Sequence, residues 1–147
     1  MKNILAIICL IFLSACASQK KFNDFDLSYT RSGGLSPIYE NLLIKANKVH
    51  YSLEGQGKKI NKDFIISTED KNQINELLSE NKFRSIQEDY KKQYDFISIS
   101  INVKSGENFG SKTNASGIMP KDQKKWQNIV DYFQKYINTS TENLNTK

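Results

Sequence analysis

The sequence predicts an α+β fold in which one face of an antiparallel sheet is covered by two helices, with the element order ββββ-α-ββ-α. Three observations predict it. Several runs alternate apolar and polar residues with the period of a strand, most clearly over 97–103. Glycine-containing segments separate these runs, as expected of turns between antiparallel neighbours. Two other stretches have apolar residues three and four apart, the spacing of a helix.

Four strands are predicted before the first helix. Ser32-Gly33-Gly34 ends the first run, because glycine readily adopts positive φ angles. Ala46-Asn47 forms a tight turn between the second and third runs, which makes these two the clearest hairpin. Gly55-Gln56-Gly57 then opens a loop into the fourth run. The predicted strands are 25–31, 38–44, 49–53 and 60–66.

The first helix is predicted to begin at Ser67. This serine stands three residues before Asp70, the spacing of a residue that caps the start of a helix. Ile74, Leu77 and Leu78 then fall on one helical face. We therefore expect this face to pack against the sheet.

Two strands and a second helix complete the predicted domain. Ser105-Gly106 turns the strand at 97–103 back into a weaker strand at 109–113. Pro120 suits the first turn of a helix, where no backbone N–H is needed. The apolar stripe of this helix, which we expect to face the core, is Trp126, Ile129, Val130, Phe133 and Ile137.

The amino terminus has the features of a secretory leader. A basic start is followed by an apolar run over 4–13, which is too short to span a membrane and has the length of a signal-peptide core. Leu13-Ser14-Ala15-Cys16 follows and resembles the bacterial lipobox. The resemblance implies cleavage between Ala15 and Cys16 and attachment of diacylglycerol to the Cys16 thiol. The alternative is an ordinary signal peptide ending at Ala15 or Ala17.

The resulting organisation is a signal peptide (1–15), a lipidated tether (16–23), a single α+β domain (24–137) and a polar C-terminal tail (138–147). Long acyl chains on Cys16 would hold the protein on a membrane, since each buried methylene contributes about 0.8 kcal/mol. Ala17 is not the aspartate associated with inner-membrane retention in enteric bacteria. We therefore expect the periplasmic face of an outer membrane.

Composition narrows the possible partners and cofactors. The formal net charge is +5, but the lysines are scattered as pairs beside acidic residues, which argues against a nucleic-acid surface. Cys9 leaves with the leader and Cys16 carries the lipid, so no thiol remains in the domain for a disulfide or a metal. The sequence predicts no cofactor and leaves the oligomeric state open.

Residues with catalytic chemistry are sparse. His50 is the sole histidine and alternates with Val49 and Tyr51, so it is expected to point to the opposite face of its strand, where it faces solvent or is lightly packed. With no second histidine or cysteine available, a zinc site is not expected. We predict no catalytic residues and no enzyme. A hydrolase would have to depend on His50 or an acid such as Asp95.

The segment from Tyr29 to Tyr39 is the most distinctive part of the domain. One interpretation is a constrained turn in which Arg31 is solvated or paired with an acid. The other is a rigid loop that presents Arg31 to a partner. The candidate binding residues are Arg31, Ser32, Gly33, Gly34, Leu35, Pro37 and Tyr39.

Two resemblances concern this domain. The domain resembles a family of uncharacterised secreted bacterial domains in the order of four features. These are Pro37-Ile38-Tyr39, Val49-His50-Tyr51, Tyr94-Asp95 and the helix at Pro120. Ser32 and Ser36 stand where that family has turn cysteines, so its bridge is not expected. The run from Arg31 to Leu35 is locally similar to the start of emfourin-type metalloprotease inhibitors.

Together these observations predict a lipid-anchored, non-enzymatic envelope protein that binds another protein or a peptide. Exposed strand edges and a glycine-rich turn suit capture of a peptide. The alternative function is a protease inhibitor that inserts the loop from Arg31 to Pro37 into an active-site cleft.

Overall fold

The computed structural model describes residues 25–91 and 96–142. It confirms an α+β fold with the predicted order of strands and helices. Ala15, Cys16 and the tether lie outside the described residues, as do Tyr94, Asp95 and the end of the chain after 142. The strands are β1 (Leu27–Gly33), β2 (Ile38–Lys45), β3 (Lys48–Gly55), β4 (Lys58–Ile65), β5 (Ile97–Val103) and β6 (Gly110–Thr113), and the helices are α1 (Thr68–Glu80) and α2 (Gln123–Glu142).

The six strands form one antiparallel sheet in the order β4-β3-β2-β1-β5-β6. Strands β1 to β4 are sequential neighbours joined by short turns. Strand β5 then returns across the sheet to pair with the free side of β1. The first strand of the domain therefore lies in the middle of the sheet, and β4 and β6 are its edges.

Both helices pack on the same face of the sheet, which we call the helix face. The ring of Tyr29 stacks on that of Phe133 with 4.9 Å between centroids, which fixes α2 over the central strand. Asn108, after β5, donates to the Asn75 carbonyl and so joins α1 to the end of the sheet. The core between the layers includes Leu42, Val49, Ile74, Leu78, Phe83, Ile101, Trp126 and Ile129.

Helix α1 begins as the sequence predicts. The Ser67 hydroxyl accepts a hydrogen bond from the Asp70 backbone N–H at 3.0 Å, which satisfies one of the free donors of the first turn. Ile74 and Leu78 are buried, and Leu77 packs against the same core from a partly exposed position.

Helix α2 buries all five residues of the predicted stripe but is longer than the sequence indicates. The structure differs from the expected polar tail at 138–142, which is helical. The extension is held by the Thr141 hydroxyl, which donates to the Ile137 carbonyl at 2.8 Å, and by Lys62, which donates to the Thr141 carbonyl at 2.9 Å. Strand β6 is shorter than predicted, and Phe109 lies outside it.

No helix of the described residues combines the length and the apolar character needed to cross a bilayer.

Candidate functional site

The residues of the predicted binding loop lie in three different elements of the structure. Arg31, Ser32 and Gly33 are not loop residues but belong to β1, where their backbones pair with both β2 and β5. Only residues 34–37 form the turn between β1 and β2. Tyr39 already belongs to β2. The expectation of a loop that presents Arg31 is therefore wrong, because the strand continues past the point where the glycines were expected to end it.

Gly33 explains how a strand can continue through this position. Its φ is +102°, a conformation that side chains rarely adopt. A Cβ built there would lie 2.9 Å from the Phe96 carbonyl oxygen on the neighbouring segment. Because glycine has no Cβ, it lets β1 lie close to the start of β5 at this position.

Arg31 lies on the helix face in a cluster of polar side chains. Its Nη1 donates to Glu40 Oε2 at 2.8 Å and to Gln134 Oε1 of α2 at 2.7 Å. Glu40 Oε1 accepts from the Tyr51 hydroxyl at 2.9 Å. Gln134 Nε2 donates to the Tyr29 hydroxyl at 2.8 Å. This outcome matches the simpler interpretation of the sequence, in which Arg31 pairs with a nearby acid.

The polar cluster around Arg31 holds the fold together and does not form a ligand site. Glu40 is only 4% exposed, and burial raises the pKa of the Tyr29 and Tyr51 hydroxyls well above the ordinary value. Both phenols therefore stay neutral, and the one charged pair is Arg31 with Glu40. The cluster fixes α2 to three strands.

The turn at 34–37 carries one prominent apolar side chain. Leu35 is 85% exposed, the most exposed of the large hydrophobic residues of the described chain. Pro37 closes the turn just before β2 begins at Ile38. A short turn with an exposed leucine at its tip can insert into an apolar pocket of a partner.

The opposite face of the sheet, which we call the open face, is more extensive. Neither helix of the described chain packs on it, and its side chains are mostly small and polar. One row crosses the whole sheet with one hydroxyl or amide residue on each strand. This polar row consists of Asn61, Ser52, Asn41, Thr30, Ser100 and Thr113.

Hydrogen bonds between neighbouring side chains order the polar row. The Ser100 hydroxyl donates to Thr113 Oγ1 at 3.0 Å, and Asn41 Nδ2 donates to Ser52 Oγ at 3.5 Å. The Thr30 hydroxyl donates to the Ser100 carbonyl at 3.4 Å. A hydroxyl or amide oxygen has two lone pairs and can accept a further bond. The polar row is therefore an ordered, neutral array of hydrogen-bonding groups.

Two of the predicted binding residues meet on this face. Tyr39 and Ser32 are directly opposite each other on β2 and β1. The Tyr39 side chain is 57% exposed, next to the polar row. Sequence reasoning identified Tyr39 but missed the row, because its members are far apart along the chain and align only through the register of the sheet.

His50 lies on the open face, as its alternation with Val49 and Tyr51 predicts. Its Nδ1 is 2.7 Å from Asp63 Oδ1 on β4. Within 25–91 and 96–142 no group of three or more histidine, cysteine, aspartate or glutamate side chains is placed to hold a metal ion.

A search against models of known protein families finds no match to this chain. A search of curated proteins finds no relative either.

Proposed function

We propose that this protein is a lipid-anchored, non-enzymatic binding module of the cell envelope, which binds an extended segment of another protein across the open face. The observation that carries the proposal is the polar row, which continues over all six strands. Its neutral donors and acceptors suit the N–H and C=O groups of a polypeptide. Tyr39 beside the row adds the kind of side chain that is enriched in protein interfaces.

The size of the open face fits a transient complex. Six strands about 4.8 Å apart make a surface about 24 Å wide, and strands of this length extend about 24 Å, which gives about 600 Å². Stable interfaces bury about 800 Å² on each partner, and transient ones bury less. A weak interaction gains from the tether, since confinement to one membrane raises the effective concentration of both partners.

The anchor in this proposal is the lipid on Cys16, which the motif Leu13-Ser14-Ala15-Cys16 supports. Replacing Cys16 with serine in the full chain should move the protein from the membrane fraction to the soluble fraction. Intact-mass analysis of the native protein should show acyl chains on a polypeptide that begins at Cys16. Retention of the Cys16→Ser variant in the membrane fraction, or an unmodified mass, would refute the anchor.

Binding through the open face is tested by site-specific photo-crosslinking in intact cells. A photoreactive residue at Asn41, in the polar row, should give a discrete protein adduct, and the same residue at Gln127, exposed on α2, should not. Replacing Ser52 with arginine should lower the Asn41 adduct at least tenfold, because a bulky charge would stand beside the crosslinker. Equal adducts from both positions, or none from Asn41, would overturn binding through this face.

A second candidate, protease inhibition through the turn at 34–37, is favoured by the exposure of Leu35. Because Arg31 is held in β1, Leu35 is the side chain that would enter a protease cleft. Micromolar protein should then slow secreted metalloproteases, and Leu35→Ala should remove the effect. An absence of inhibition by the unmodified protein at that concentration eliminates this candidate.

A further inference from the structure

We infer that β4 pairs with β4 of a second copy of this chain, so that two sheets join edge to edge into one. This self-association does not depend on what the open face binds. Strand β4 runs from Lys58 to Ile65 and, among the strands of the described part of the chain, pairs with β3 alone. It is a long edge, whereas β6 at the other side of the sheet is short. Charged side chains, lysine above all, protect an edge strand from indiscriminate pairing, so a strand that pairs with β4 must complement the charges of Lys59 and Asp63.

The backbone of β4 has a fixed outward-facing set of groups. Just beyond the strand, the Ile66 N–H donates to the Asn47 carbonyl at 3.0 Å, so the even-numbered positions direct their backbone groups toward β3. Because the direction of the backbone groups alternates along a strand, the N–H and C=O groups of Lys59, Asn61 and Asp63 point away from β3. These positions also carry their side chains on the open face.

An antiparallel second copy extends the sheet only when residues of the same face stand opposite each other. The register with Asn61 opposite Asn61 of the second copy meets this condition. It places Lys59 opposite Asp63 of the second copy, and Asp63 opposite Lys59 of the second copy. Each of these pairs also joins two outward-facing backbones, so each exchanges both backbone hydrogen bonds.

Charge selects this register over its neighbours. Shifting the register by one pair in one direction places Lys62 opposite Lys62 of the second copy. Shifting it by one pair in the other direction places Lys58 opposite Lys62 of the second copy. Both shifts bring like charges together. Like charges directly opposite each other destabilise a sheet. In the favoured register Lys59 lies between Glu54 of its own copy, 3.8 Å away, and Asp63 of the second copy, so opposite charges alternate across the joint.

The side chains involved are accessible to a second copy. Lys59 is 82% exposed and Asp63 is 65% exposed, and Asn61 between them is exposed as well. On the helix face, Lys58 would cover the partly exposed Phe64 of the second copy.

The pairing is tested by disulfide crosslinking of the full-length protein in its own envelope. Residues in such a hydrogen-bonded pair have Cα atoms about 5.5 Å apart, within the range of a disulfide. Asn61→Cys should therefore give a covalent dimer on mild oxidation. Lys124→Cys, at an exposed position on α2, is the matched control and should give at least tenfold less dimer.

Charge exchange then tests the register. In the Asn61→Cys background, Lys59→Asp alone and Asp63→Lys alone should each lower the dimer at least tenfold. Combining them should restore it to within twofold, because the two charges again face each other. Fluorescence of the buried Trp126 verifies that each variant is folded. No dimer from Asn61→Cys, equal dimer from the control, or failure of the double variant to recover would overturn the inference.

The outcome is separate from that of the lipid anchor. Crosslinking reports whether β4 meets a second copy, whereas fractionation of Cys16→Ser reports whether the chain is held on a membrane. Either result can fail while the other stands.

Discussion

Replacing Glu40 with glutamine tests whether the Arg31 cluster holds α2 on the sheet. The substitution keeps the size of the side chain and its bond with Tyr51 but removes the charge that faces Arg31. The new amide group would also direct N–H donors at Arg31 and Gln134, which are themselves donors toward this carboxylate. A favourable contact therefore becomes an unfavourable one.

The magnitude follows from the burial of the pair. Removing one partner of a fully buried ion pair costs about 3–5 kcal/mol. Arg31 is 23% exposed, so water can partly solvate the abandoned guanidinium and we expect the lower figure of about 2–3 kcal/mol. For a domain of this size, that corresponds to a fall in Tm of about 8–12 °C.

Urea unfolding followed by tryptophan fluorescence measures the effect, since Trp126 is the sole tryptophan and is 4% exposed. A double-mutant cycle with Arg31→Met isolates the coupling of the two charges. The combined variant should lose less stability than the sum of the single variants, because no charge is then left alone. A loss below about 1 kcal/mol for Glu40→Gln, or strictly additive losses, would show that the cluster does not act as described.

Two further perturbations follow from local geometry. Asp122 accepts from Lys125 Nζ at 2.6 Å and from the Gln87 N–H at 3.1 Å, and the Lys125 bond is the main cause that lowers the pKa of this carboxyl below its usual value. The contribution of the Asp122 carboxylate to stability is therefore complete above the unfolded pKa of about 4 and is lost as pH falls through the lower folded pKa. Asp122→Asn should cost about 1–3 kcal/mol at neutral pH and make the stability of the protein depend less on pH in the acid range. Equal acid sensitivity of the variant and the unmodified protein would contradict this. Gly55→Ala should destabilise the protein by about 2–4 kcal/mol, because the added Cβ would lie 2.2 Å from the Pro37 carbonyl oxygen. Gly57 also has a positive φ, but a Cβ there would have no atom within 4 Å, so Gly57→Ala should cost only about 1 kcal/mol. Thermal melts of the two alanine variants compare them directly, and equal losses would mean that the contact with Pro37 is not limiting.

The order of elements could be predicted because each depends on a local pattern. The alternation over β5 and the three-four spacing of α2 are visible within a few residues, and both are confirmed. The cap at Ser67 is equally local, since the hydroxyl and the N–H that it binds are three residues apart. Physical causes that act within one turn or one strand are readable from a single sequence.

The features that were missed depend on contacts between distant segments. Whether Arg31 faces α2 or solvent depends on the register of β1 against both neighbours, which no local pattern reveals. The end of α2 is extended by Lys62 of β4, far away in the chain. The polar row likewise exists only because β5 crosses to pair with β1, which places Ser100 beside Thr30.

The central position of β1 has a consequence for the order of folding. The meander of β1 to β4 closes only short loops, but the pairing of β1 with β5 joins residues 70 positions apart, such as Thr30 and Ser100. Distant pairings of this kind slow folding, since the entropy of a long loop is lost before the contact is made. A nascent or truncated chain that ends before β5 would therefore present Tyr29 and Leu42 to solvent on an unfinished sheet. Premature termination of translation in this region should yield an aggregation-prone product instead of a smaller stable domain.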